Sequence, residues 1–323
     1  MRKQIFIMFS VALFVSIFFF VFSKKSEHND IVVSIKPIHS LVCALTKGIT
    51  TPSLLLDGVI SPHQAQLSPS QVQMLKNANL VVWIGPAYEQ MLTRYVKDLK
   101  GAPLTLQENS QIKLKPLRNG ALWDQHACCN HDDHHHHDHH DHHHHYDSHD
   151  PNLDGHIWLS PLLMLRVVDC VLEELQKLYP NHQELLSKNA QAYKERLQLL
   201  HQQLLHKMNP YKGNTYIIQH DGNQYFDALY GVQTIATLSI DPNVPPSAGH
   251  ILKIRKALKK KKIQPKCLYA EKQINAALAK TYADSLKVSF AVVDYLGTTI
   301  EAGESAYENL MHAYVNEFVK GLQ

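Results

Sequence analysis

Residues 182–208, HQELLSKNAQAYKERLQLLHQQLLHKM, decide how the rest of the chain is arranged. Leu186, Ala190, Tyr193, Leu197, Leu200, Leu204 and Met208 recur at spacings of three and four, which puts them on one face of a single α-helix. Tyr179-Pro180 ends whatever helix precedes, so this stretch starts as a new element. At about 1.5 Å per residue the helix spans roughly 40 Å, more than one small domain needs. It is expected to be a rigid strut, with a separate fold on either side.

Both flanks alternate strands with helices. Ahead of the strut, Ile31–Ile35, Ser53–Leu56, Leu80–Ile84 and Leu104–Leu106 read as short apolar strands. Between them, Pro37–Lys47 is helical and stops at Gly48. Ser68-Pro69-Ser70-Gln71 supplies an N-cap, a first-turn proline and the glutamine of a capping box, opening a helix to Asn77. A further helix is expected after Gly85-Pro86, reaching Leu99, and Ser160-Pro161 caps one that runs to Leu178. Beyond the strut, Thr215–Gln219, Val232–Leu238, Cys267–Ala270 and Val288–Val293 read as strands. Helices near Asn223–Tyr230, Ser247–Lys261, Asn275–Leu286 and Ser305–Lys320 separate and close them. Such alternation implies parallel sheets covered on both faces. The expected class is therefore α/β: two lobes, each a mainly parallel sheet flanked by helices, joined by one long rigid helix. Residues 30–180 form the N-terminal lobe, 181–209 the linking helix and 210–323 the C-terminal lobe. Ligands of such open sheets bind in the cleft outside the strand ends.

Of the 323 residues, 45% are hydrophobic and 19% charged, which excludes a disordered or fibrous chain. The 32 basic and 29 acidic residues leave a net charge of +3, so nothing argues for a nucleic-acid partner. Residues 1–29 open with Arg2 and Lys3, then run apolar from Ile5 to Phe22 but for Ser10 and Ser16. This is an export signal, cleaved or kept as an N-terminal anchor. The five cysteines are too few, and odd in number, for a disulfide framework. Cys43 and Cys170 fall in apolar helical patterns and are expected as small buried hydrophobes. Lys259–Lys262 closes a helix, where cations complement the macrodipole.

Histidine is the outlier, at 23 residues. Thirteen lie in one tract within residues 124–150: His126, His131, His134, His135, His136, His137, His139, His140, His142, His143, His144, His145 and His149. With little to bury, this tract is expected to be a loop that binds metal as an accessory, and Cys128 and Cys129 adjoin it. Three other histidines stand at junctions. His63 lies between a strand and the capped helix, His156 follows Asp154-Gly155 just before Ser160, and His220 ends a strand ahead of Asp221-Gly222. All three would face the cleft. Three imidazoles with one open position suit tetrahedral zinc, and an all-nitrogen set favours it over manganese. A water-activating zinc hydrolase is the rival reading. The chain has no HExxH helix and no evident general base, so no catalysis is expected.

Val59-Ile60-Ser61-Pro62-His63, Ser68-Pro69-Ser70 and Asn77-Ala78-Asn79-Leu80-Val81-Val82-Trp83-Ile84-Gly85 follow one another in order. So do His156-Ile157-Trp158-Leu159-Ser160-Pro161, Gln219-His220-Asp221, Tyr269-Ala270-Glu271 and Asp294-Tyr295-Leu296-Gly297-Thr298. Together they resemble the periplasmic zinc-binding ZnuA family, within the metal-binding class of ABC-transporter solute-binding proteins. The resemblance covers the chain after residue 30. It implies two lobes joined by a rigid helix, with Zn2+ held in the cleft by His63, His156 and His220. It also implies a monomeric periplasmic protein that delivers the ion to an inner-membrane ABC permease and its ATPase. A zinc buffer without a permease is the remaining alternative. Some members place a glutamate before the first ligand histidine, where this chain has Pro62. The fourth position then falls to water, a loop histidine or Asp294, which aligns near an acidic ligand of manganese-binding relatives. Members also pair the cysteine matching Cys267 with one near the C-terminus. This chain has none there, so that disulfide is not expected.

Overall fold

A computed structural model describes residues 31–57, 61–63, 65–120, 122–123, 152–239 and 245–323. The N-terminal apolar run, the histidine tract and Cys128 and Cys129 lie outside the described residues. The first half contains β1 (Ile31–Ile35), α1 (Lys36–Leu45), β2 (Ser53–Leu56), α2 (Pro69–Asn77), β3 (Leu80–Trp83), a short α3 (Thr93–Val96), β4 (Ala102–Thr105), β5 (Lys115–Pro116), β6 (Leu153–Asp154) and α4 (Pro161–Leu178). The strut is α5 (Gln183–Met208), 26 residues long. After it come β7 (Thr215–His220), α6 (Gln224–Tyr230), β8 (Gln233–Ser239), α7 (Ala248–Lys261), β9 (Cys267–Glu271), α8 (Ala277–Leu286), β10 (Ser289–Val293) and α9 (Ala306–Leu322).

The two large sheets share one topology. The first runs β2-β1-β3-β4 and the second β8-β7-β9-β10, each with four parallel strands. In both, the first strand in sequence sits inside, with the second on one side and the third on the other. Chain order therefore reverses beside β1 and β7, and the crevice outside such a switch point is where ligands bind. This likeness of topology carries no trace in the residues themselves.

Side-chain alternation explains how both faces of each sheet are filled. Ile31, Val33 and Ile35 of β1 enter the main core, while Val32 turns to a smaller cluster under α2 and α3. Tyr216 and Ile218 of β7 likewise face the main core, and Ile217 faces a third cluster under α7 and α8. All seven apolar residues read from the strut are buried. They join the main core together with α1, α4 and the aromatic face of α9, where Tyr307, Tyr314 and Phe318 sit. That core is continuous across both sheets, so α9 and the strut together weld the lobes.

Two departures from expectation stand out, and the first is the small antiparallel pair of β5 and β6, which lies outside the expected strands. The second is the helix anticipated between Gly85 and Leu99, which shrinks to the 3-10 turn Gln90–Leu92 and α3. The buried Glu89 carboxylate folds back to accept hydrogen bonds from Gly85 N (3.0 Å) and Ser34 Oγ (2.5 Å), which holds residues 85–89 as a turn. That turn delivers Tyr88 to the region between the lobes. Cys170 and Cys267 are buried free thiols, whereas Cys43 is half-buried beside His39. No disulfide occurs among the described residues.

Candidate metal centre

Three segments from different parts of the chain bring one histidine each to a common point. His63 comes from the loop between β2 and α2, His156 from the turn after β6, and His220 from the carboxyl end of β7. Ring centroids lie 5.7 Å apart for His63 and His156, 5.1 Å for His63 and His220, and 5.2 Å for His156 and His220. One nitrogen from each falls within 4.8 Å of the others, the only such group among the described residues. Tetrahedral zinc with bonds of about 2.0–2.1 Å wants nitrogens about 3.4 Å apart, so a small inward movement of the rings completes the site.

Each ring is held from behind. His156 Nδ1 donates to Asp154 Oδ1 (2.8 Å), which also accepts the His156 backbone N–H at 2.9 Å. His220 Nδ1 donates to Glu271 Oε1 (2.8 Å) at the end of β9. An ionised carboxylate only accepts, so both imidazoles carry their proton on Nδ1 and present a bare Nε2. His63 differs: its Nε2 is buried with no hydrogen-bond partner. Burial, reinforced by the two neighbouring histidines, holds its pKa well below the usual imidazole range, so it is neutral. At His220 burial works downward, but the Glu271 charge and hydrogen bond, with Asp221 and Asp154, outweigh it and raise the pKa.

The charges balance for a dication. An imidazole that ligates a metal is neutral and contributes no charge, while Asp154 and Glu271 each place a carboxylate directly behind a ring. Burying a +2 ion demands such compensation. Asp221, buried next to His220, is committed elsewhere: Arg118 Nη2 lies 3.1 Å from its Oδ1 and 3.1 Å from Asp227 Oδ2. Burial still pushes the Asp221 carboxyl up to about 7 against the pull of Arg118. Tyr88 stands edge-on to His63 (4.7 Å) and His156 (4.9 Å), and Trp158 lies 5.2 Å from His156. Gly222 leaves room beside them, since a Cβ there would lie 3.0 Å from His156 Nε2.

Asp294, the candidate fourth ligand, is not brought to the three rings. Its Oδ1 accepts from Leu296 N (3.1 Å), Gly297 N (2.9 Å) and Gln273 Nε2 (2.6 Å), and its Oδ2 from Thr298 N (2.8 Å) and Oγ1 (2.7 Å). Both oxygens are consumed in shaping the turn after β10. His39 and His250 are structural, bonded through Nε2 to the Pro52 and Thr237 carbonyls. Glu271 and Asp154, which hydrogen-bond two of the rings, are the residues of the candidate site that sequence reading missed. Asp154 stands two residues from His156 and was open to detection as its tether. Glu271 lies 51 residues from His220 and only the sheet reveals the pair.

Two α/β lobes with a histidine-lined point at their sheet ends define a metal-binding solute-binding protein. Residues 31–321 match the family described as zinc-uptake complex component A, periplasmic (ZnuA), and the chain belongs to that family. The high-affinity zinc uptake system protein ZnuA of Haemophilus ducreyi is 31% identical over 290 residues, covering 90% of this chain and 92% of its own. That of Brucella abortus is 29% identical over 309 residues, covering 91% and 92%. A crystal structure of ZnuA superposes with a TM-score of 0.67 at 20% identity, over 90% of this chain and 99% of its own, and shares the fold.

Proposed function

We propose that His63, His156 and His220 bind one Zn2+ through their bare nitrogens. The ion is the cargo of a periplasmic zinc-uptake complex and passes from this chain to an ABC permease driven by its ATPase. The observation that carries this reading is the convergence of three imidazoles, two tethered by buried carboxylates and the third with an orphaned buried nitrogen. Nitrogen donors in a closed, apolar-walled site suit zinc, whereas manganese prefers more oxygen. With Asp294 engaged in its own turn, the fourth position falls to water or a histidine of the 126–149 tract. One chain supplies every ligand, so a monomer suffices. We infer no catalysis: among the described residues, the Asp154 and Glu271 carboxylates are tied to imidazoles, Glu89 to Ser34 and Gly85, and Asp221 is ion-paired with Arg118.

The thirteen histidines from His126 to His149 serve as an accessory, weaker zinc-binding segment. Titration of the full chain against a chromophoric zinc chelator tests the division of labour. Deleting residues 126–149 should lower the number of zinc ions bound while one tight site persists. Loss of the tight site on that deletion would refute the assignment.

The tethers give a second expectation. Outer carboxylates fix ring orientation and raise ligand basicity, and their loss typically costs ~10–100-fold in metal affinity. Glu271→Gln and Asp154→Asn should each weaken zinc by that range in competition titrations, with secondary structure by circular dichroism unchanged. Equal affinity in both variants would show that the carboxylates do not act through the rings.

A further inference from the structure

Lys36 is the first residue of α1, with Ile35 as its N-cap, and it is buried at 5% exposure. Both facts run against ordinary preference. A helix N-terminus favours anions over cations, and lysine is seldom buried without a dedicated partner. Such a local inconsistency marks a residue kept for something other than folding propensity.

Its ammonium has three donors and uses all of them. Nζ lies 2.9 Å from Asp57 Oδ1, 3.0 Å from the Gly297 carbonyl and 2.8 Å from the Ile300 carbonyl. Asp57 directly precedes the loop that ends in His63. Gly297 and Ile300 belong to the turn after β10 that Asp294 organises, in the second half of the chain. That turn is built to present its carbonyls. Asp294 gathers the Leu296, Gly297 and Thr298 N–H groups, and Gly297 takes a left-handed φ of 64° where a Cβ would meet Ile300 and Leu310 side chains at 3.2 Å. Asp57 is solvent-exposed, so its ion pair alone is weak. The two carbonyl bonds, one of them buried, fix the ammonium in place and Asp57 then follows it.

We propose that Lys36 is a positioning residue for zinc, a clasp that ties the base of the His63 loop to the 294–300 turn and so sets where His63 meets the other two ligands. His63 needs this more than its partners do. His156 and His220 each have a carboxylate behind the ring, whereas among the described residues no such tether is seen at His63, whose Nε2 is unpartnered. Its placement therefore depends on the path of its own loop. The inference rests on the three-histidine site proposed above and specifies what holds its least-tethered member.

A double-mutant cycle separates this from a merely structural role. Zinc affinity is measured by chelator competition for the parent chain, Lys36→Met, His63→Ala and the combination. Lys36→Met keeps the apolar stem and removes the donors. It should weaken zinc about tenfold, in the range of other residues that orient a ligand from outside. In the His63→Ala background the same change should cost less than about twofold, because the residue it positions is gone. Asp57→Asn, at an exposed position that does not threaten folding, should show the same dependence on His63. Equal losses with and without His63, or no loss at all, would overturn the clasp. If His63→Ala alone leaves tight binding intact, the three-histidine site fails first and the clasp with it.

Discussion

His220→Ala should reduce zinc affinity by more than a hundredfold, and His156→Ala by a comparable factor. The size of the effect follows from what each ring leaves behind. Structural zinc binding is worth ~10–16 kcal/mol shared over about four ligands, so one ligand carries ~3–4 kcal/mol, or a factor of ~100–1,000. Alanine at 220 also strands the buried Glu271 carboxylate beside a space no longer filled by a hydrogen-bonded imidazole. The two losses reinforce each other. The apo protein should remain folded, because the main core lies beneath the site and does not include the three histidines. Calorimetric titration, with circular dichroism as the folding control, reads both quantities. Tight binding that survives either substitution would mean that the ion sits elsewhere.

The sequence shows the three histidines of the proposed site because each announces itself locally. His63, His156 and His220 stand at element ends, beside Pro62, Gly155 and Gly222, where a side chain escapes the packing of a strand or helix. The strut is equally plain, since its buried face is a single uninterrupted period and all seven of its apolar positions are core. What is hidden depends on pairings between distant segments. Glu271 is one more residue at the end of an apolar strand until β9 is placed beside β7. Lys36 resembles a solvated lysine until the turn at 297–300 arrives from the far end of the chain. The missing helix after Gly85 has the same origin, because Glu89 is drawn back by Ser34, 55 residues away. Asp294 shows the converse. Its type and place suggest a ligand, yet five donors from neighbouring and facing residues claim its oxygens first.

Zinc binding should weaken as the pH falls, and the onset should lie above the ordinary imidazole value of about 6.5. Only a neutral imidazole binds metal, so a proton on any of the three rings competes with the ion. His63 offers little competition, because burial and its histidine neighbours hold its pKa well below that value and it stays neutral into mild acid. His220 is the group that decides. Burial lowers its pKa, but the opposing charges of Glu271, Asp221 and Asp154 prevail and raise it, so its free form binds a proton before an exposed histidine would. Above the raised value zinc meets a neutral ring and affinity is flat. Below it one proton must be displaced per zinc bound, and affinity drops about tenfold per pH unit, equivalent to 1.36 kcal/mol. The same carboxylate that strengthens the ligand at neutral pH therefore makes release easier in acid. Glu271→Gln separates the two effects: it should weaken zinc at pH 8 yet move the onset of acid sensitivity to lower pH, since the charge that raises His220 is gone. Competition titrations from pH 8 to 5.5 on both proteins measure the onset, and an onset unchanged by Glu271→Gln would show that His220 does not govern the response.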